Sequence, residues 1–349
     1  MINFFNRVFF GSSEMATWVV TGGCGFIGSH LVDALVRRGD SVRVLDDLSS
    51  GKRANIPGDV DLRVGDVADE NAVAAALDGA DGCFHLAAVA SVPRCTEDWL
   101  GTHRTNLTGT INVFDKARRS DSGAPLPVVY ASSAAVYGAN TQAPLKEEVA
   151  TDPLSAYGAD KLACELHAQV AWRVHGVANV GLRIFNAYGP RQDASSPYSG
   201  VLAIFADRIA RDRELLIHGD GKQTRDFVYV TDVVSHLLAA MRDLRTGARV
   251  FNVCTGRGIS VIELAETIGV IAGRRPILRY GEARAADAKV SIGDPAAATK
   301  AFGLTSRTAV FDGLGKLLAR KAVPERSAGI AIGVKRTSDR IGVAPTDRP

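Results

Sequence analysis

Tyr157 and Lys161 stand at i and i+4 in SAYGADKLACELHA, a stretch of helical character. At that spacing both side chains leave the same helix face. An ammonium beside a phenol favours the phenolate, and a phenolate can act as a general base near neutral pH. Alone, the pair also fits an exposed surface contact. What strengthens the chemical reading is Ser132-Ser133, two hydroxyls that end a β-branched run. Ligands of open α/β sheets sit outside the carboxyl ends of the strands, where those hydroxyls fall.

A second cluster lies near the start of the chain. Gly22, Gly25 and Gly28 follow a first strand directly and open a helix, in TGGCGFIGSHL. Such glycines permit a tight turn, backbone approach to a pyrophosphate and close packing of helix on sheet. The helix N-terminus at Phe26 and Ile27 offers free N–H groups to phosphate. Turns use glycine in any case, so the strand–glycine–helix context is what makes this a dinucleotide signature. Asp46 ends the second strand, where a carboxylate accepts both hydroxyls of an adenosine ribose and repels a 2′-phosphate. NAD is therefore expected over NADP, with Lys52 and Arg53 as the neighbours that could favour NADP. Asp66, after the third strand, either faces the adenine or serves its own turn.

These residues need a scaffold. Six β-branched runs, at 17–22, 41–46, 60–66, 82–88, 127–133 and 179–185, alternate with helical stretches such as FIGSHLVDALVRR and NAVAAALDG. Continuous apolar strands alternating with helices predict a parallel sheet buried on both faces. The expected fold is α/β: a doubly wound, Rossmann-type parallel sheet with a smaller α/β C-terminal substrate lobe. After Asn186 the pattern loosens into a helix near Val201–Arg211, a strand entering a helix in FVYVTDVVSHLLAAM, the strand VFNVCTG and the helix VIELAETIGVIAG. The expected division is an N-terminal extension at 1–15 and an NAD-binding domain at 16–185, with 226–256 returning to it. Residues 186–225 and 257–322 form the substrate lobe. Residues 323–349, rich in Pro, Gly and charge, read as a disordered tail. Met15, just before the first strand, is a candidate start.

The chain has 349 residues, 46% hydrophobic and 23% charged, a balance that excludes wholesale disorder. A net charge of +3 is too small to be a nucleic-acid footprint. No apolar run approaches the roughly 18 residues of a membrane span. Cys24, Cys83, Cys95, Cys164 and Cys254 are scattered and form no C-x-x-C pair. That argues against a disulfide framework or a zinc site and for a reducing compartment. Met1–Phe10 is apolar but broken by Asn6 and Arg7, which makes a poor signal peptide. A cytoplasmic protein is expected. The histidines show no metal-ligand spacing, so no metal site is expected, and His85, ending an apolar strand, reads as a satisfied core residue.

Taken together, VTGGCGFIGSHL, LDDLSSGK, HLAA, NLTGT, ASSAAVYG, SAYGADK, RIFNAYGPRQD and GDGKQTRDFVYVTDV resemble the extended short-chain dehydrogenase/reductases. Within them the likeness, from about Thr17 to Leu318, is to nucleotide-sugar epimerases of the UDP-glucose/UDP-N-acetylglucosamine 4-epimerase type. The resemblance implies that Tyr157 takes the proton of the sugar 4-hydroxyl, Ser133 hydrogen-bonds that hydroxyl, and Lys161 holds the nicotinamide ribose. It extends the NAD wall to Val67, Leu86, Ala87 and Ala88. Asn106 either bonds near the nicotinamide or packs its helix. Asn186, Arg225 and Arg284 would anchor a diphosphate, Leu216 and His218 would flank the nucleotide base, Val201 would also contact the substrate, and Asp287 would brace its own segment. Ser291 would stand beside the sugar 2-substituent, where a small residue admits N-acetyl groups. Dehydratases of this family carry Asp-Glu after the strand-end hydroxyl; here Ala134 and Ala135 occupy those positions. A homodimer through helices around Thr105–Arg119 and Pro153–His175 is also implied. The alternatives are a UDP-uronate 4-epimerase, another NAD-dependent sugar-nucleotide epimerase or reductase, and a non-catalytic NAD-binding regulator.

Overall fold

A computed structural model describes residues 16–118, 123–140, 142–192, 201–244, 246–283 and 288–321. The N-terminal extension with Met15, the tail after residue 322, and both Arg284 and Asp287 lie outside the described residues. Among the described residues, no helix is long and apolar enough to cross a membrane.

The chain starts with β1 (Thr17–Thr21), α1 (Phe26–Arg37), β2 (Ser41–Asp46), β3 (Asp61–Val64), α2 (Glu70–Leu77) and β4 (Gly82–His85). Short helices α3 (Val92–Glu97) and α4 (Trp99–His103) lead through a π-helical turn, Arg104–Thr108, into α5 (Gly109–Ala117). Then come β5 (Val128–Ser133), α6 (Ala156–His175), β6 (Asn179–Ile184), β7 (Asn186–Tyr188) and α7 (Val201–Ala210). The remainder is β8 (Leu215–His218), β9 (Thr224–Tyr229), α8 (Val230–Arg242), β10 (Ala248–Val253), β11 (Gly258–Ser260) and α9 (Val261–Ala272). It finishes with β12 (Leu278–Gly281), β13 (Val290–Ser291), α10 (Ala296–Phe302) and α11 (Val310–Lys321).

Seven strands form one sheet in the order β10-β6-β5-β4-β1-β2-β3, every pairing parallel. The apolar runs of the inner strands are buried because helices cover both faces, while the edge strand β3 stays partly exposed. Leu31, Val32 and Leu35 of α1 pack with Val233 and Leu237 of α8 on one side. Val73 of α2, Phe114 of α5 and Ala168 of α6 fill the other. The order reverses between β1 and β4, and a doubly wound sheet leaves a crevice at the carboxyl ends there.

The smaller lobe is built around β9, which pairs with β7, β11 and β13; β8 and β12 pair beside it. Two boundaries differ from the expected division. Asp226–Tyr229 belong to β9 in the small sheet, so the part that returns to the large sheet is α8 and β10. A strand apolar on both faces fits either sheet, and periodicity does not choose between them. Conversely, α10 lies within 257–322 but packs on the large sheet, Phe302 meeting Phe251 of β10 edge-on at 4.8 Å. The helix expected at Thr105–Arg119 is interrupted, its first turn being π-helical around the fully buried Asn106.

His85 is buried between two threonines, Nδ1 at 2.7 Å from Thr21 Oγ1 and Nε2 at 3.0 Å from Thr110 Oγ1. Thr110 donates its own proton to the Asn106 carbonyl at 2.7 Å, so it accepts from His85 Nε2–H. Nδ1 therefore accepts from Thr21, whose oxygen in turn receives the N–H groups of Leu86 and Ala87. Every polar group in this chain is satisfied by a neutral imidazole. Burial, helped by the Lys161 ammonium, pushes the imidazole pKa down from 6.5 to about 3. Below about pH 6.5 the unfolded chain gains a proton that the folded chain refuses, so stability is lost as pH falls from there toward 3. The slope due to His85 should be up to about 1.4 kcal/mol per pH unit. Urea unfolding of wild type and His85→Gln between about pH 7 and about pH 4 should show a shallower fall in the variant. Parallel curves would mean that His85 is not the titrating group.

Candidate functional site

The glycine turn is closed to side chains. Gly22 has φ +67°, and a Cβ there would lie 2.8 Å from the backbone of Ala87. One on Gly28 would overlap the carbonyl oxygen of Gly22. Helix α1 has no side-chain cap at Gly25, which leaves first-turn N–H groups at Phe26 and Ile27 for an anion. Asp46 is buried, taking the N–H of Cys24 on Oδ2 and that of Leu48 on Oδ1, each at 2.9 Å. Burial raises its carboxyl pKa while those two N–H groups pull it back. Its remaining lone pairs suit a diol. Arg53, one of the cations that could have favoured a 2′-phosphate, donates to the carbonyls of Ile56, Pro57 and Gly58.

Around this turn the other expected cofactor residues divide into two kinds. Leu86 and Ala87 present a backbone fixed by Thr21, and Ala88 follows them at the sheet edge. Val67 is buried, its carbonyl held by Asn112 Nδ2 at 3.0 Å. Asp66 is exposed and closes a turn by accepting Ala68 N–H at 2.8 Å. Asn106 is committed to Val89, accepting its N–H at 2.8 Å and donating to its carbonyl at 3.3 Å. Asn106 thereby fixes the loop after β4. A cradle that a Cβ would fill, an uncapped helix start and a seated carboxylate fit NAD.

The chemical end is a cavity of about 280 Å³ at the carboxyl edge of β5 and β6. Its walls bring together Ser133, Tyr157, Asn186, Arg225 and Ser291, which are remote in sequence. Tyr157 sits in the first turn of α6, whose N-cap Ser155 accepts the N–H of Gly158 at 3.1 Å. A Cβ at Gly158 would come within 2.6 Å of the Ala135 carbonyl oxygen, so glycine lets the helix start press against the β5 edge. Lys161 is buried with its ammonium 5.9 Å from the centre of the Tyr157 ring, and it donates to the Ala131 carbonyl at 2.9 Å.

The two serines separate cleanly. Ser132 is buried and donates to Glu165, whereas Ser133 lines the cavity and accepts the N–H of Ala135 at 3.1 Å. Ala134 and Ala135 are cavity walls as well. Asn186 donates to the Asp226 carbonyl at 2.9 Å, and Ser291 of β13 lies in register with Arg225 of β9. Val201, Leu216 and His218 lie outside the cavity walls; Leu216 and His218 are on β8, with His218 Nδ1 at 3.1 Å from the Glu282 carbonyl.

Several residues escaped the reading of the sequence. Val92, Leu154 and Tyr137 line the cavity, yet apolar walls carry no chemical signature in a sequence. Asp226 is fully buried and accepts from the Thr255 N–H and hydroxyl and from the Gly256 N–H, which ties β9 to the loop after β10. A carboxylate set directly before the apolar FVYV run was the available signal.

The sequence profile of the "NAD dependent epimerase/dehydratase family" matches residues 18–254, more than half of the chain. The chain belongs to that family. A UDP-glucose 4-epimerase of Mycolicibacterium smegmatis is 34% identical over 304 residues, covering 85% of this chain and 96% of its own. A UDP-N-acetyl-alpha-D-glucosaminuronate decarboxylase of Bacillus cytotoxicus is 33% identical over 262 residues, 72% of this chain and 78% of its own. Among solved structures, the UDP-N-acetylglucosamine 4-epimerase of Methanobrevibacter ruminantium, in complex with UDP-N-acetylmuramic acid, superposes with a TM-score of 0.83. It is 32% identical and covers 88% of this chain and 99% of that one. The protein is thus an NAD-dependent enzyme of the epimerase type on the extended short-chain dehydrogenase/reductase scaffold. Because the scaffold also carries decarboxylation, its substrate must be argued from the site.

For the cofactor end, Asp46→Ser removes the charge that opposes a 2′-phosphate. Titration calorimetry should then find NADP binding brought to within about tenfold of NAD. An unchanged preference would take Asp46 out of contact with the ribose.

Proposed function

We propose that the enzyme interconverts the 4-epimers of UDP-hexoses, both UDP-Glc/UDP-Gal and UDP-GlcNAc/UDP-GalNAc. The observation that carries this is one cavity walled by Tyr157, Ser133 and the small Ser291, with alanines at 134 and 135. Tyr157 removes the proton of the 4-hydroxyl, Ser133 grips the same oxygen, and Lys161 steadies the phenolate and the nicotinamide ribose. Bound NAD supplies the reversible acceptance of hydride from carbon 4. Arg225 and Asn186 hold the diphosphate, together with Arg284, while the sugar turns its other face. The two alanines leave dehydration without an acid–base pair. Arg225 is the one charged residue among the described walls, so among the described residues a uronate carboxylate would find no cation there besides the diphosphate anchor. That favours neutral hexoses over the uronate reading. Tight cofactor retention follows, because NAD is regenerated in every cycle.

The first experiment is NMR of the purified protein with UDP-GlcNAc and, separately, UDP-Glc, without added NAD. The 4-epimer should appear in both. Tyr157→Phe should lose about 100-fold or more in kcat while keeping its NAD. Ser291→Tyr should depress N-acetylhexosamine turnover far more than hexose turnover. Turnover only of a UDP-uronate, or net formation of NADH, would replace the 4-hexose reading.

We also propose a cytoplasmic homodimer. All five cysteines are free and buried, which suits a reducing compartment. Leu166, Val170 and Val174 form an exposed apolar stripe at helical spacing on α6, with Trp99 and Leu100 also exposed on α4. A second copy of α6 is the natural cover for such a stripe. Sedimentation should report a dimer in wild type and monomers for Val170→Glu; a monomeric wild type would refute the assembly.

A further inference from the structure

We infer that Ser132 and Glu165 are positioning residues for the reaction: together they set the distance between Ser133 and Tyr157. The inference rests on the roles given above to those two residues. Consecutive strand residues point to opposite faces, so while Ser133 enters the cavity, Ser132 points behind it. Its hydroxyl donates to Glu165 Oε1 at 2.5 Å, the length of a charge-assisted bond. Glu165 lies on α6 one turn beyond Lys161 and two beyond Tyr157. The same carboxylate is gripped by Arg183 of β6, through Nε at 2.9 Å and a terminal nitrogen at 2.7 Å. Arg183 is also the register partner of Ser132 across β5 and β6. One carboxylate thus ties the helix of the base to two strands at the level of the acting serine.

The tie reaches the cavity from a second side. The Arg183 guanidinium lies 4.8 Å over the ring of Tyr137, a cavity wall, and donates to the Glu147 carbonyl at 3.0 Å. Tyr137 donates to Asn252 Oδ1 at 2.6 Å, and Asn252 gives its N–H to Glu147 Oε1 at 2.7 Å. Burying an ion pair is a poor way to gain stability, since a well-packed apolar pair does as well or better. What it supplies is direction. Apolar contacts tolerate small slides of a helix along a sheet, whereas a bidentate fork with a third hydrogen bond does not. Two groups that must grip one sugar oxygen need that rigidity.

The test begins with Ser132→Ala, which leaves the Glu165–Arg183 pair intact. In the full-length enzyme, kcat should fall about tenfold or more, with the KM for the UDP-sugar, the NAD content and the urea midpoint little changed. Glu165→Gln should lose kcat in the same direction and lose stability as well, because Arg183 is left buried without its counter-charge. Loss of stability with kcat intact in both variants would overturn the proposal, as would a rise in KM that accounts for the whole effect of Ser132→Ala. Wild-type turnover tests the epimerase reading by itself. The tie is read independently of turnover in the crystal structure of Ser132→Ala, where the Tyr157 and Ser133 oxygens should move apart by more than about 0.5 Å. An unchanged separation would sink it.

Discussion

A parallel sheet sends the carboxyl end of every strand to one edge, and nearly all the chemistry of this protein depends on that constraint. β1, β2 and β4 end at the glycine turn, at Asp46 and at the loop held by Thr21. β5 and β6 end at Ser133 and at the cavity wall beside Asn186. The reversal of strand order between β1 and β4 opens the edge for a dinucleotide. The cofactor end and the sugar end therefore share one rim. No long-range machinery is needed to align them, only helices that hold each strand end still.

Buried polar groups do that holding. The chain Thr21–His85–Thr110–Asn106 runs from the glycine turn to the π-helical turn with each donor matched to an acceptor. The cluster Ser132–Glu165–Arg183 does the same between β5, β6 and α6. Asp226 does it in the smaller lobe, where it accepts from Thr255 and Gly256. Each would be costly if half-satisfied, and each is tied to the sheet edge where geometry matters most. Apolar packing gives the body of the domain its stability; these networks give its rim a single arrangement.

One scaffold carries both epimerases and decarboxylases among the relatives of this chain. The glycine cradle, Tyr157 and the strand-end Ser133 belong to the rim. The rest of the cavity wall comes from the smaller lobe, with Arg225 and Ser291, and from the start of α3, with Val92. Ala134 and Ala135 add only small side chains to the wall beside Ser133 and Tyr157.

Much of this was legible in the residues alone. Strand positions in the large sheet follow from β-branched runs, because a strand buried on both faces must be apolar throughout. The glycine turn is legible because only glycine fits where Ala87 and Gly22 crowd the backbone. Tyr157, Lys161 and the pair Ser132-Ser133 stand out in the sequence because their types and spacing suit proton transfer. Which of that pair faces the cavity is decided only in three dimensions, where Ser132 turns to Glu165 and Ser133 to the cavity. Likewise Asp226–Tyr229 went to the small sheet and α10 to the large one, since apolarity says that a segment is buried but not against what. Asn106, polar and suggestive in sequence, is consumed in holding Val89. Local composition determines which elements form and which residues can react; only tertiary packing, by spending some polar groups on structure and leaving others at the cavity wall, decides which of them are available to do so.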